Sequence, residues 1–323
     1  MRVLDTMNLK QIPNYILTML IIAIMVGASE VLGEKEIIFP EITAIAIGLF
    51  IAPHRSWQVN KARILILISI CSVLGLMISL FVPLPLWLKM SIAFIICQFI
   101  FIFSKTSFAP MISAAILPVM LGTKSIIYPV AAILLTALIL LGSILLEKLK
   151  FKEYEAYIPQ PLPKRKDFYD LILRSLTAVI CIAFATNFNF GFAVAPPVLV
   201  AFTEFTRRNC KARQKPIKTV LLILLCAFVG TVCRYFCTVQ LRLPLTFSAV
   251  TATIIMLAIL HLFKMYLPPA GALTTLAMLI PQEKLFLYPI EILAGVSVFM
   301  GLALLIFRNK TKLMNKHNNL KTE

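Results

Sequence analysis

Eight long apolar runs constrain this chain more than any other feature, because their lengths suit helices that cross about 30 Å of hydrocarbon. The mean hydropathy is +0.93 and only 14% of the 323 residues are charged, too few polar residues to cover a soluble domain of this size. We therefore predict an all-α polytopic membrane protein. The long runs are Tyr15–Ser29, Ile64–Phe81, Leu86–Phe103, Tyr128–Leu146, Leu171–Phe188, Ile217–Phe236, Leu245–Phe263 and Phe286–Phe307.

Four shorter apolar segments lie between the long runs, and each opens at or close to a proline. A helix of about 14 residues is ~21 Å long, so it does not cross the hydrocarbon core unaided. Because proline suits the first turn of a helix and not its interior, we predict short helices preceded by extended chain. Whether they cross the membrane or re-enter it is left open. The short segments are Pro40–Ala52, Phe108–Leu121, Pro197–Phe205 and Pro268–Ile280.

The long and short segments follow the same order in two halves of the chain, which favours an internal duplication. Six landmarks recur with an offset that drifts only from 157 to 160 residues. We predict two parallel, pseudo-symmetric repeats of about six hydrophobic segments each, two of them short, related by an axis along the membrane normal. The predicted regions are a first repeat at 1–146, a basic, proline-containing linker at 147–166, a second repeat at 167–308 and a polar tail at 309–323. The landmark pairs are Pro40 and Pro197, Lys61 and Lys218, Leu84-Pro-Leu86 and Leu243-Pro-Leu245, Lys105 and Lys264, Pro110 and Pro269, and Tyr128-Pro129 and Tyr288-Pro289.

The net charge of +17 is concentrated in alternate loops, which predicts the orientation of the chain. Six crossings per half place every strongly basic loop on one side, which the positive-inside rule assigns to the cytoplasm. We therefore predict a multi-pass protein of the plasma (inner) membrane with both termini cytoplasmic, lipid as its surroundings and no nucleic-acid partner. Arg234 and Arg242 fit this scheme worst, because they fall near the outer side.

The proline breaks at corresponding positions of the two halves predict a binding site. A helix N-terminus offers free N–H groups and roughly half a positive charge, and small residues after the break leave those amides approachable by an anion or polar solute. The alternative is that small residues only allow close helix packing. The predicted substrate-binding residues are Pro268, Pro269, Ala270, Gly271, Ala272, Thr274 and Thr275 in the second half, and Ala109, Pro110 and Ser113 in the first.

The second half resembles the HPP family of integral membrane proteins, which is named for a His-Pro-Pro motif within the sequence HPPAGA. The motif stands here as Leu267-Pro-Pro-Ala-Gly-Ala272, with leucine in place of the histidine, and the resemblance covers roughly 190–308. The first half is more distant and has Phe108-Ala-Pro110 at the matching place. The resemblance implies a fused pair of four-span transporter units, and nitrite uptake in a plastid branch of the family implies a small inorganic anion as substrate.

Few charged residues lie near the apolar segments, and three of them are candidates for coupling. Glu41 directly follows Pro40, where a carboxylate either carries a proton or simply interacts with the helix dipole. Lys105 and Lys264 each stand five residues before a key proline. They either extend to the cytoplasmic surface or draw anions toward the short helix.

No arrangement of residues in the sequence predicts catalysis, a metal site or a cofactor. The leading hypothesis is a secondary transporter or facilitator of a small solute, as a monomer or a homo-oligomer. One alternative is an intramembrane enzyme acting on lipid or isoprenoid, which needs polar groups such as Glu41, Glu291 and Gln98 in one cavity. The other is an accessory subunit without a site of its own, which a dry, close-packed interface between the halves favours.

Overall fold

The computed structural model describes residues 11–207 and 210–307, and these residues form an all-α bundle. Eight helices are long and apolar enough to cross a membrane, so the chain is a multi-pass membrane protein. The predicted tail and both predicted cytoplasmic termini lie outside the described residues. The α-helices are α1 Ile12–Leu32, α2 Glu41–Ala46, α3 Lys61–Phe81, α4 Leu86–Phe103, α5 Met111–Leu121, α6 Ile127–Lys148, α7 Arg165–Asn187, α8 Pro196–Phe205, α9 Lys211–Gln214, α10 Pro216–Cys233, α11 Leu245–Phe263, α12 Pro268–Leu276 and α13 Leu287–Ile306.

Apolar side chains on the outer faces of the long helices are exposed to the surroundings of the bundle. On α3, Ile66, Ile70 and Met77 are each about half exposed, while Ile64 and Ile68 on the same helix are fully buried. In a soluble protein such a surface would be unfavourable, but lipid tails solvate it. The prediction that the bilayer surrounds this chain is therefore confirmed.

Each short helix has an additional turn or an extended lead that lengthens it. A π-helical turn at Ile47–Ile51 continues α2, and a 3-10 turn at Ala277–Leu279 continues α12. Helix α12 with its 3-10 turn is about 18 Å long, and the non-helical residues 265–267 add about 10 Å. The combined length is close to that of one membrane crossing.

Contacts at the two ends of these short segments show that they run through the bundle. The Glu34 carbonyl, before α2, accepts from the Ser29 hydroxyl near the end of α1. The Phe50 carbonyl, after α2, accepts from Asn14 Nδ2 near the start of α1 at 3.0 Å. The other short helices have end contacts of the same kind, so each short segment extends from one end of the bundle to the other. The corresponding end contacts are Gln58–Ser107 and Ser79–Thr123 for α5, Phe192–Glu291 and Trp57–Glu204 for α8, and Thr219–Met265 and Arg234–Ile280 for α12.

The same contacts gather the basic loops at one end of the bundle, which we call the basic face. It carries residues 52–60, 104–110, 149–164, 206–207, 210–215 and 264–267. The other end is the opposite face. Arg234, which was expected to fit the charge pattern poorly at this face, does not lie in a loop. Its Nη1 donates to the carbonyls of Ala277 and Ile280 at the end of the α12 segment. Arg242 remains exposed on the opposite face.

Three local features recur in the two halves. Lys105 and Lys264, which end α4 and α11, both adopt left-handed backbone with φ of 55° and 49°. The buried hydroxyls of Tyr128 on α6 and Tyr288 on α13 donate to backbone carbonyls of α5 and α12 at 2.8 and 2.6 Å. Close helix approach recurs as well, where α3 packs on α5 and α10 packs on α12.

The halves interlock through crosswise helix pairs. Helix α1 packs against α11, and α7 packs against α4. Helix α2 packs against α12, and α8 packs against α5. The Glu30 carboxylate at the end of α1 also accepts from the backbone N–H groups of Leu245 and Thr246 and so caps α11.

The linker between the halves lies along the basic face of the first half. The Tyr157 hydroxyl and the Gln160 N–H both donate to the carbonyl of Lys105, at 2.7 and 2.9 Å. Glu155 accepts from the backbone N–H of Arg55. The guanidinium of Arg63 lies 5.2 Å from the ring centroid of Tyr157. Residues 149–160 are therefore docked chain, not a free tether.

Candidate functional site

The N-terminus of α12, the predicted anion site, is buried and its first donors are already accounted for. Pro268 and Pro269 have no N–H, and the N–H of Ala270 donates to the carbonyl of Leu267 at 3.0 Å. Ala270, Gly271 and Ala272 are all buried. In this conformation the helix end therefore offers an anion a dipole but fewer free amides than the sequence suggests.

The remaining predicted residues of α12 contact neighbouring helices. Thr275 shares a 2.6 Å hydrogen bond with Thr43 of α2, and the Thr274 hydroxyl donates to the Cys226 carbonyl of α10 at 3.0 Å. A methyl group on Gly271 would lie 2.2 Å from Ile47 Cδ1. The small residues here allow α12 and α2 to pack closely, which the sequence analysis had kept open as an alternative.

The matching N-terminus of α5 is equally buried but keeps an uncommitted polar group. The N–H groups of Ile112 and Ser113 donate to the carbonyls of Ala109 and Pro110, as in the first turn of a 3-10 helix. The Ser113 hydroxyl is 1% exposed and has no hydrogen-bond partner among the described residues. Such a group is unfavourable in a packed interior unless something else satisfies it.

Beside Ser113 lies the carboxyl group of Glu41, in the first turn of α2. Glu41 is fully buried, and neither of its oxygens has a hydrogen bond of normal geometry within the described part of the chain. The ring of Tyr128 is a further neighbour, but its hydroxyl donates to the Ala114 carbonyl. Two first turns, one from each short helix of the first half, thus bring an uncommitted carboxyl and an uncommitted hydroxyl together inside the bundle.

The two predicted coupling lysines lie at the basic face, each at the bend between a long helix and an extended lead. Lys264 is exposed and Lys105 is partly exposed. Left-handed backbone disfavours a lysine by roughly 1–2 kcal/mol, so the sharp reversal of the chain is what places both residues there. Their position favours the surface role over a direct role at the buried carboxyl.

Other polar groups considered in the sequence have separate partners. The Glu291 carboxylate of α13 accepts from the Phe192 N–H at 2.7 Å. Gln98 of α4 donates to the Thr203 hydroxyl of α8 at 3.0 Å. The Glu204 carboxylate accepts from Trp57 Nε1 at 2.7 Å.

Sequence reasoning missed one buried charge, Arg174 of α7. It lies within the predicted run Leu171–Phe188, and an arginine inside an apolar run is itself a signal of function or of a polar interior. In the structure it is 6% exposed, and its Nη1 donates to Gln98 Oε1 at 2.7 Å.

Comparison with known protein families, with characterised proteins and with solved structures finds no match to this chain.

Proposed function

We propose that this protein is a secondary transporter or facilitator of a small solute, with an inorganic or small organic anion as the leading substrate class. The observation that carries the proposal is the fully buried carboxyl of Glu41 beside the Ser113 hydroxyl, with neither group in a hydrogen bond of normal geometry among the described residues. An ionisable group inside a membrane bundle is expensive and marks proton or substrate pathways. Glu41 would carry the coupling proton, and Lys105 and Lys264 would raise the local anion concentration at the basic face.

The substrate would bind at the short-helix N-termini between the halves, at the residues predicted from the sequence. These residues are close-packed in this conformation, so transport requires that the halves separate along the α2–α12 and α5–α8 contacts. Small side chains such as Gly271 and Ala270 suit a surface that opens and closes, because they leave backbone exposed once the neighbouring helix withdraws.

The duplication belongs to the same proposal. Paired left-handed lysines, paired tyrosine contacts and crosswise helix pairs support two parallel repeats, with both basic loops of each on one face. Parallel repeats around a central site are a common plan of secondary transporters. We assign the basic face to the cytoplasm of the plasma membrane by the positive-inside rule. The resemblance of Leu267–Ala272 to the HPP motif points to a nitrite-like substrate.

The direct test is uptake by purified protein in proteoliposomes. A panel of small anions would be offered with and without an inward proton gradient, and empty liposomes serve as background. We expect at least one anion to accumulate faster with the gradient than without it. Folded protein that moves no anion under either condition would contradict the proposal.

A second candidate function, a membrane accessory subunit without its own site, is favoured by the closeness of the inter-half contacts. The 2.6 Å hydrogen bond between Thr43 and Thr275 and the fit of Ile47 against Gly271 describe a close-packed surface. The enzyme alternative has no such support, because Glu41, Glu291 and Gln98 each have different neighbours.

A further inference from the structure

A buried arginine joins the two halves below the basic face. Arg174 of α7 donates from Nε to the Thr206 hydroxyl at 2.7 Å and from Nη1 to Gln98 Oε1 at 2.7 Å. Thr206 follows α8, and Gln98 lies on α4 of the first half. Both partners are neutral, so the hydrogen bonds hold the guanidinium without neutralising it.

The network around Arg174 has more donors than acceptors. The Gln98 amide N–H donates to Thr203, the Thr203 hydroxyl donates to the Leu199 carbonyl, and the Thr206 hydroxyl donates to the Thr203 carbonyl. Every hydroxyl proton is thus directed away from the guanidinium. An arginine has five N–H donors, and within the described chain its hydrogen bonds use only Nε and Nη1. Nη2 therefore still has donors to offer.

Charged groups of both signs lie near this arginine. Asp167 and Asp170 are neighbours on α7, but no ion pair joins either of them to Arg174 in the parts of the chain that the structure describes. Arg207 faces it from the residues after α8 and adds a second positive charge. Glu204 is turned toward Trp57 and is itself influenced by Arg207. Burying a guanidinium that has no ion pair within the described chain costs several kcal/mol, and a bound anion would offset part of that cost.

We propose that Arg174 is the anion-recognition residue of this protein, binding a planar oxoanion or carboxylate through Nη2 and the free edge of Nη1. A guanidinium fork matches two oxygens of such an anion, whereas a halide engages only one point of it. The inference rests on the proposed function for its role in transport. The site is close to the transport path because Thr203 belongs to α8, which packs against both α5 and α12.

Binding and transport are measured separately, so that the two proposals fail separately. The chain has two tryptophans, and Trp57 is bonded to Glu204, next to Thr203. In a Trp87→Phe background, Trp57 fluorescence of the full chain in detergent would be titrated with formate, nitrate and chloride. The same variants in proteoliposomes give KM and Vmax for each transported anion.

Three variants distinguish recognition from a structural role. Arg174→Lys keeps the charge and loses the fork, and we expect formate and nitrate to bind about tenfold or more weakly while chloride changes little. Gln98→Glu supplies a carboxylate to Arg174 Nη1 and should weaken oxoanion binding although the arginine remains. Arg63→Lys is the matched control on the same face, because Arg63 contacts the Ser104 carbonyl and the Tyr157 hydroxyl.

The outcomes are decisive in either direction. Loss of oxoanion affinity in Arg174→Lys and Gln98→Glu, with unfolding temperatures close to that of the parent protein, supports the assignment. Unchanged affinity in both variants, or no fluorescence response of the parent protein to any oxoanion, overturns it. Oxoanion binding without uptake would support Arg174 as an anion site and refute transport. Uptake with an unaltered KM in Arg174→Lys would support transport and refute the role of Arg174.

Discussion

The N-termini of α5 and α12 share a backbone conformation and differ in the hydrogen bonding of their side chains. Both follow a left-handed lysine and an extended lead, and both are tied to a buried tyrosine through a backbone carbonyl. At α12 both threonine hydroxyls have partners. At α5 the Ser113 hydroxyl is uncommitted and lies beside Glu41.

The difference distinguishes residues that allow close helix packing from residues whose polar groups are left without partners. The motif with the strongest sequence signal, at α12, uses its small residues to approach α2. The weaker motif, at α5, has beside it the polar groups whose burial is hardest to explain without a ligand or a proton. A pronounced motif therefore need not mark the part of a chain where the uncommitted polar groups lie.

The largest expected effect comes from replacing the buried carboxyl of Glu41, with the buried carboxyl of Glu291 as its comparison. Glu41→Gln should reduce gradient-driven uptake to the background of empty liposomes, while the unfolding temperature stays the same or rises, because an unpartnered buried acid is removed. Glu291→Gln is the matched control: its amide oxygen still accepts from the Phe192 N–H without charge assistance, so it should lose about 1 kcal/mol of stability and keep uptake. Uptake and thermal unfolding are measured on both variants. Equal uptake in the two would remove Glu41 from the mechanism.

An intermediate effect is expected where the halves are most alike. A methyl group on Gly75 would lie 2.2 Å from the Ala115 carbonyl oxygen, and one on Gly230 would lie 2.4 Å from that of Thr274. Both contacts are with backbone, so Gly75→Ala and Gly230→Ala should each destabilise the protein by about 1–3 kcal/mol. Gly301→Ala meets nothing within 4 Å and should stabilise α13 by up to about 1 kcal/mol. The unfolding temperature of each variant is measured in detergent. If either Gly75→Ala or Gly230→Ala unfolds at the temperature of the parent protein, the two helix contacts are not alike.

The smallest expected effect compares the hydroxyls of the two short helices. Thr275→Val leaves the buried Thr43 hydroxyl without its inter-half partner and should lower the free energy of unfolding by about 1–2 kcal/mol. Ser113→Ala removes a hydroxyl that has no hydrogen bond of normal geometry among the described residues, so stability should change less than in Thr275→Val while uptake falls. Urea or thermal unfolding combined with uptake tests the pair. A large loss of stability in Ser113→Ala would show that the hydroxyl is structural.

The positions of the helices could be read from the sequence because apolar runs and prolines are local signals. The predicted runs Leu86–Phe103 and Leu245–Phe263 coincide with α4 and α11. The gathering of basic loops at one end followed from charge alone. Sequence reasoning also left the crossing of the short segments undecided, because an extended lead adds length that a helix count does not reveal.

The hydrogen-bond partners of polar side chains could not be predicted from the sequence, since they depend on which helices become neighbours. Thr43 and Thr275 are 232 residues apart, and Arg174 and Gln98 are 76 residues apart. Nothing near Thr275 in the sequence indicates that α2 will satisfy its hydroxyl. The isolation of the Glu41 carboxyl likewise emerges only when every neighbour has been placed.

The docking of residues 149–160 onto the first half has a mechanical consequence. The carbonyl of Lys105, where the lead into α5 begins, is held by Tyr157 and Gln160, so chain that formally joins the halves stiffens the entrance of only one of them. Only the few residues between Gln160 and the start of α7 at Arg165 then remain to accommodate a movement of the second half. If one half rotates against the other, the rotation would be centred on that short, proline-containing segment. The length of the segment would limit the amplitude of the movement.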